Sequence, residues 1–134
     1  VNPETALPAV SVWLRAQPAN ACPLIYASRD LDGVNRTKSA LGEGAGRIIE
    51  EFLAAIATEA QDQGFSRFIV AGGETSGAVL NALGIQAVTI GAKVAEGVPV
   101  TTATDAALTL VMKSGNFGDE NFFAEAYDAV TRRK

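Results

Sequence analysis

The chain has 134 residues, of which 48% are hydrophobic and 19% charged, and its formal net charge is −4. This length fits one domain with an apolar core and excludes a disordered chain. The negative charge argues against a nucleic-acid-binding protein, and the absence of histidine excludes Ser-His-Asp catalysis. The single cysteine, Cys22, excludes an internal disulfide, and we expect it to be a buried structural thiol.

The first half of the chain predicts two helices and one strand. Residues 9–17 favour a short helix, and PLIYAS at 23–28 favours a buried strand. A polar, glycine-containing stretch then leads to a long amphipathic helix over 43–63. Gly64 supplies its stop, because glycine readily adopts the left-handed conformation beyond a helix end.

The second half predicts strands that alternate with helices. The strands are 67–71, 87–91, 98–103 and 107–113, and the helices are 76–83 and 120–132. Pro99 cannot donate to neighbours on both sides, so we expect the third of these strands to lie at a sheet edge. Asp119 is placed to cap the last helix, which we expect to bury Phe122 and Phe123.

This alternation predicts an α/β fold: a single three-layer domain, residues 1–134, with a mainly parallel sheet flanked by helices. No stretch reads as a membrane span or signal peptide, so we expect a cytoplasmic protein without nucleic-acid or membrane partners.

Two glycine turns follow strongly apolar strands. The turn AGGETSG follows strand 67–71, and KSGNFGDE follows strand 107–113. Ligands of open α/β sheets collect beyond the carboxyl ends of the strands. We therefore expect these two strands to be neighbours and their turns to face each other.

The first turn has the chemistry of an anion site. Gly72 and Gly73 allow close approach of the backbone, Thr75 and Ser76 add hydroxyl donors, and a helix start adds its positive dipole end. Glu74 would repel a bare phosphate but suits a ribose hydroxyl, a base amino group or hydrated Mg²⁺. A plain strand-to-helix connection explains the same residues equally well.

The second turn begins with Lys113, which can meet a phosphate as a point charge beside Ser114, Gly115 and Asn116. Phe117 could stack on a base, although the favoured interpretation is that its side chain packs in the core under the last helix. The charged residues after the first predicted strand favour a solvated loop: Arg29, Asp30, Asp32, Asn35 and Arg36.

Together, VAGGETSGAVLNALGI, the GVPV turn and LVMKSGNFGDENFF resemble the C-terminal, nucleotide-binding domain of the four-carbon acid sugar kinase family. The similarity runs from about Tyr26 to Tyr127 and becomes unclear upstream of residue 20. The family's members are kinases of threonate, erythronate and 3-oxo-tetronate type acids that use ATP.

The resemblance implies an ATP site, with Mg²⁺ carried by the nucleotide, lined by two groups of residues. These are Gly72, Gly73, Glu74 and Thr75 in the first turn, and Ser114, Gly115 and Asn116 in the second. It also implies a missing N-terminal domain that binds the four-carbon sugar acid, so this chain alone would be inactive and no catalytic residue is assigned. A homo-oligomer is a further partner that we consider.

The alternative function is a noncatalytic ligand-binding or regulatory α/β module for a small phosphorylated metabolite. Adenine-nucleotide preference would favour the kinase, and sugar-phosphate preference would favour the module.

Overall fold

The computed structural model describes residues 3–27, 39, 42–115 and 118–131. Its helices are α1 (Pro3–Arg15), α2 (Ala45–Asp62), α3 (Gly73–Ala82) and α4 (Phe122–Thr131), with a 3₁₀ turn at Gly42–Gly44 before α2. Its strands are β1 (Arg67–Ala71), β2 (Val88–Ala95), β3 (Val98–Ala103) and β4 (Thr109–Lys113). None of the helices in these ranges is both long and apolar enough to cross a membrane.

The four strands form one sheet in the order β1-β4-β3-β2. Strands β1 and β4 are parallel, whereas β3 pairs antiparallel with both β4 and β2. The α/β class is confirmed, but the sheet is mixed rather than mainly parallel. The reason is the short connections from β2 to β4, because only antiparallel strands can be joined by tight turns.

Helices cover both faces of this sheet and make three layers. On one face, Ala57 of α2 and Val79 of α3 belong to the same core cluster as Leu110 of β4. On the other face, Phe122 and Ala126 of α4 pack with Val98 and Val111. Because successive residues of a strand point to opposite faces, the neighbours Leu110 and Val111 fill the two cores.

Strand β3 lies inside the sheet, so the expectation of an edge strand is wrong. Its ladder with β4 begins only at Val100, one residue beyond Pro99. On the β2 side, Pro99 lies opposite Lys93, between two register shifts. A proline is tolerated at such a bulge because no regular ladder bond is lost there.

The predicted strand at 23–28 is absent over its described residues, 23–27. Ile25 packs beside α1 and α2, but Leu24 and Tyr26 on either side of it are exposed, and Cys22 is exposed rather than buried. Helix α1 begins six residues earlier than predicted, because Leu7 and Val10 extend the apolar stripe that ends at Leu14.

The longer helical predictions are confirmed with small shifts at their ends. Helix α2 ends before Gly64, whose φ is +97°. At the start of α4, the carboxylate of Asp119 accepts the N–H of Asn121 at 2.9 Å. Phe122 is buried as expected, whereas Phe123 is exposed.

The buried position of Leu110 generates a stability prediction. Replacing Leu110 by Ala should lower the free energy of unfolding by about 3 kcal/mol, since it leaves a cavity between β4 and α3. Urea denaturation followed by circular dichroism measures this change. The same substitution at exposed Leu24 is the control and should change stability by less than about 0.5 kcal/mol. Equal effects at the two positions would contradict the assigned core.

Candidate functional site

The parallel pairing of β1 with β4 brings the two glycine turns together. Ala71, the last residue of β1, lies opposite Lys113, the last residue of β4. The contact continues beyond the strands, where the N–H of Gly72 donates to the carbonyl oxygen of Lys113 at 2.7 Å. The expectation that these strands are neighbours is therefore confirmed, and their turns leave the sheet side by side.

Gly72 makes the change from strand to helix. Its φ is +109° and its ψ is 130°, a conformation that residues with a Cβ rarely adopt. Helix α3 consequently begins at Gly73, three residues earlier than the sequence predicts. Thr75 therefore lies inside the first turn of the helix rather than before it, and Ser76 is its fourth residue rather than its first.

The start of α3 presents backbone donors. The N–H of Ser76 bonds to the carbonyl of Gly72 at 2.9 Å, which closes the first helical turn. The N–H groups of Gly73, Glu74 and Thr75 precede that bond, and no described side chain caps them. Three aligned donors at the positive end of a helix dipole can bind an anion.

The side chains around these donors differ in exposure. A Cβ added to Gly73 would meet no atom within 4 Å, so the space outside this residue is open. Glu74 is exposed and Thr75 is half-buried. Ser76 is buried, and its hydroxyl has no hydrogen-bond partner among the described residues.

The second turn folds around the side chain of Lys113. The ammonium group donates to the carbonyls of Ser114 at 3.2 Å and Gly115 at 3.5 Å, and lies 5.7 Å from the ring centroid of Phe122. Gly118, with φ +82°, lets the loop return closely, because a Cβ there would lie 3.0 Å from the Lys113 side chain. The side chain of Lys113 is thus held against Phe122 on the α4 face of the sheet, the face opposite α3.

The structure adds one residue that the sequence did not indicate, Glu50 of α2. Its carboxyl lies within hydrogen-bonding reach of Glu74. The pKa of Glu50 is raised by this hydrogen bond, then by burial, and then by the negative charges of Glu74 and Glu51. Only the packing of α2 against α3 makes this contact, so no sequence pattern could have revealed it.

Several residues considered from the sequence lie outside the described ranges. Asn116 and Phe117 are among them, as are Arg29, Asp30, Asp32, Asn35 and Arg36. Lys93 and Glu96 are described, and they form an exposed ion pair in the β2–β3 hairpin.

Comparisons with known proteins show to which family the chain is similar. The family model of the nucleotide-binding C-terminal domain matches residues 2–123, so the match extends upstream of the region where the sequence resemblance was clear. The 3-oxo-tetronate kinase of Cupriavidus necator is 51% identical over 105 residues, which are 77% of this chain and 24% of that protein.

The 3-oxo-tetronate kinase of Brucella melitensis is 41% identical over 128 residues, which are 94% of this chain and 29% of that protein. The crystal structure of Haemophilus influenzae protein HI1011 superimposes with a TM-score of 0.84 at 33% identity, over 94% of this chain and 32% of that one. The chain therefore spans about a quarter of the length of the curated relatives it matches.

Substitution by alanine should affect the stability of the protein differently at the two adjacent glycines, Gly72 and Gly73. Gly72→Ala should cost about 1–3 kcal/mol, because it forces a Cβ into a conformation reserved for glycine. Gly73→Ala should be neutral or stabilise by about 0.5 kcal/mol, because its helical position is open and alanine restricts the unfolded chain. Thermal unfolding of both variants measures the difference. Equal losses of stability would contradict the assigned turn.

The Glu50–Glu74 contact predicts a dependence of stability on pH. Because folding raises the pKa of Glu50, the folded state binds its proton more tightly than the unfolded state. The contribution of Glu50 to the free energy of unfolding is therefore fully present below the ordinary pKa of a glutamate. It is lost as the pH rises through the raised pKa of Glu50 in the folded protein. Glu50→Gln should stabilise the protein at pH 7, and the gain should disappear near pH 4.

Urea denaturation at the two pH values measures this effect, with exposed Glu125→Gln on α4 as the control. A loss of stability in Glu50→Gln at pH 7 would mean that the two carboxyls do not repel each other in the folded protein.

Proposed function

Because the chain belongs to the family of nucleotide-binding C-terminal domains of four-carbon acid sugar kinases, we propose that it supplies the ATP-binding part of such a kinase. The proposed reaction transfers the γ-phosphoryl group of ATP to a hydroxyl of a four-carbon sugar acid. The names of the Cupriavidus and Brucella relatives support this class of substrate.

One observation carries the proposal: the Gly72–Lys113 hydrogen bond between the two strand ends. This bond joins the two turns at the edge of the sheet. We therefore propose that the N–H groups at the start of α3, which no described side chain caps, bind the phosphates, and that Lys113 reaches the same phosphates from its position against Phe122 on the α4 face. Opening of the bonds from Lys113 to the carbonyls of Ser114 and Gly115 would release its charge for the nucleotide.

The other residues have proposed roles that follow from their positions. The open space at Gly73 allows phosphate oxygens to approach the backbone, and the Thr75 hydroxyl adds a donor. Ser114 and Gly115 follow Lys113 on the second side of the proposed site, and Asn116, which lies outside the described residues, is proposed to bind the nucleotide only because the family resemblance implies it. Ser76, which is buried, supports the helix start rather than meeting the ligand.

Glu74 fits a cation or a hydroxyl better than a phosphate. Its exposed carboxylate, beside Glu50, is a hard oxygen donor of the kind that Mg²⁺ prefers, and such a carboxylate also accepts a ribose hydroxyl. We propose that Mg²⁺ comes with the nucleotide and that Glu74 meets its hydration shell or the ribose. The metal would neutralise phosphate charge during transfer.

Transfer also requires an acceptor hydroxyl held in line with the γ-phosphate. We propose that the acceptor site and the catalytic base belong to the part of the kinase that this chain does not include. The isolated chain should therefore bind nucleotide without phosphorylating a sugar acid.

Calorimetry with Mg·ATP and Mg·ADP tests the nucleotide site. Gly73→Val should weaken binding at least about tenfold, or about 1.4 kcal/mol, because its side chain would fill the open space at the donors. Gly77→Val is the matched control: this glycine is also helical, exposed and without neighbours within 4 Å of an added Cβ, but it lies one turn beyond the unbonded N–H groups.

Equal affinity of the two variants and the parent chain for the nucleotide would contradict the proposed nucleotide site at the start of α3. Binding of sugar phosphates in preference to adenine nucleotides would instead favour a noncatalytic metabolite-binding module.

A further inference from the structure

The N-terminal part of the described chain is exposed yet poor in charge. Between residues 3 and 27 the sequence contains only two charged residues, Glu4 and Arg15, whereas 19% of the whole chain is charged. Most other residues of this stretch are apolar or small. A solvated helix normally carries a charged outer face, so this composition needs an explanation.

Large apolar side chains are exposed in the same part of the molecule. Val12 is 65% exposed and Trp13 is 43% exposed, and Leu24 and Tyr26 are each more than half exposed. Among the described residues, only Ile90 and Phe123 are comparable large hydrophobics elsewhere. We call Val12, Trp13, Leu24 and Tyr26 the N-terminal apolar surface.

The core of this domain does not require these four side chains. The inner side of α1 is covered through Leu14, which packs with Ile56 and Ala60 of α2. Ile25 packs into the same cluster and leaves its two neighbours, Leu24 and Tyr26, outside. The exposed residues are therefore not needed for the packing of the part of the chain that the structure describes.

Polar contacts hold α1 firmly on α2. The Ser11 hydroxyl donates to the carboxylate of Glu59 at 2.6 Å, and the side-chain amide of Gln63 donates to the Ser11 carbonyl at 3.0 Å. The pKa of Glu59 is lowered mainly by its hydrogen bond from Ser11 and then by the one from Gln63. A helix fixed in this way presents a preformed surface, which reduces the entropy lost on docking.

The composition of this surface matches the centre of a protein interface. Such centres are depleted in charge and enriched in aromatic residues, and Trp and Tyr contribute most to binding. A membrane-surface helix or a nucleic-acid site would need a basic face, and α1 carries one basic residue, Arg15. The surface therefore fits another folded protein segment.

We propose that the N-terminal apolar surface docks the acid-sugar-binding part of the same kinase polypeptide. This inference rests on the proposed function. The matched region is only 29% of the Brucella relative, and it belongs to a C-terminal domain family, so in such relatives the remaining polypeptide precedes it. That polypeptide enters at the end where α1 lies, and a tethered neighbour has a high effective concentration there.

Docking at this surface also has a consequence for phosphoryl transfer. Domain interfaces within one chain commonly bury about 600–1,500 Å² and leave room for relative motion. A fixed contact through α1 would set the distance between the acceptor hydroxyl and the nucleotide bound at α3.

A chimera tests the proposal. This chain replaces the aligned region of the Brucella melitensis kinase, because that alignment spans 94% of the chain. Cys22, which lies between α1 and Leu24 and is exposed in this chain, reports on the surface. Its alkylation, followed by peptide mass spectrometry, should be about tenfold or more slower in the chimera than in the isolated chain, because only the undocked fraction reacts.

Two exposed β-branched residues give matched variants. Val12→Asp lies within the surface and should restore fast alkylation of Cys22 in the chimera, whereas Ile90→Asp, on β2, should leave the protection intact. Circular dichroism verifies that each protein is folded. Equal alkylation rates in the folded chimera and the isolated chain would overturn the proposal.

A second measurement uses the natural enzyme. Hydrogen exchange of the segment aligned with α1 should be slower in the intact Brucella kinase than in its excised C-terminal region. Equal exchange would overturn the proposal, as would sedimentation showing that the isolated chain forms dimers that Val12→Asp dissociates, since the occupant would then be a second copy.

The two proposals fail separately. Val12→Asp should leave the calorimetric affinity of the isolated chain for Mg·ATP unchanged, because Val12 is on α1 and the nucleotide site is on α3 and β4. Absence of Cys22 protection in the unsubstituted chimera, with intact nucleotide binding by the isolated chain, would reject only the docking surface. Protection without nucleotide binding would reject only the proposed function.

Discussion

The parallel pairing of β1 with β4 is the constraint on which the rest of this structure depends. It puts Ala71 opposite Lys113, and the hydrogen bond from Gly72 extends the pairing one residue beyond the sheet. Strand β4 can hold this position because Leu110 and Val111 are fully buried on its two faces. The hydrophobic core thus fixes the relative position of two loops that are far apart in sequence.

The electrostatics at the start of α3 combine opposing contributions. The N–H groups of Gly73, Glu74 and Thr75, which no described side chain caps, would attract an anion, and the helix dipole also favours the Glu74 carboxylate. The nearby Glu50 carboxyl opposes a second negative charge, as the direction of its pKa shows. A site that holds both phosphates and a cation would use the N–H groups for the phosphates and the carboxyl groups for the cation. Each kind of group would stabilise the complex more than the free protein.

Two surfaces of the described part of the chain are proposed to bind a partner, and they differ in chemistry. The start of α3 is polar and suits a small anionic ligand, whereas the N-terminal apolar surface around Trp13 suits a protein segment. The proposed phosphoryl transfer would use both, because the nucleotide and its acceptor must be held by parts that keep a fixed distance. The length of the relatives, about four times the matched region, is consistent with this division.

Helix α2, strands β1 and β4 and the two glycine turns could be predicted from the sequence, because periodicity and glycine reflect local backbone geometry. The sequence also predicted that β1 and β4 are neighbours. Packing between distant segments decided the rest of the sheet: Pro99 sits inside it because the β4 ladder begins after it, and residues 23–27 remain outside. It also decided that Glu50 meets Glu74. Such contacts depend on packing between distant segments, which no local pattern records.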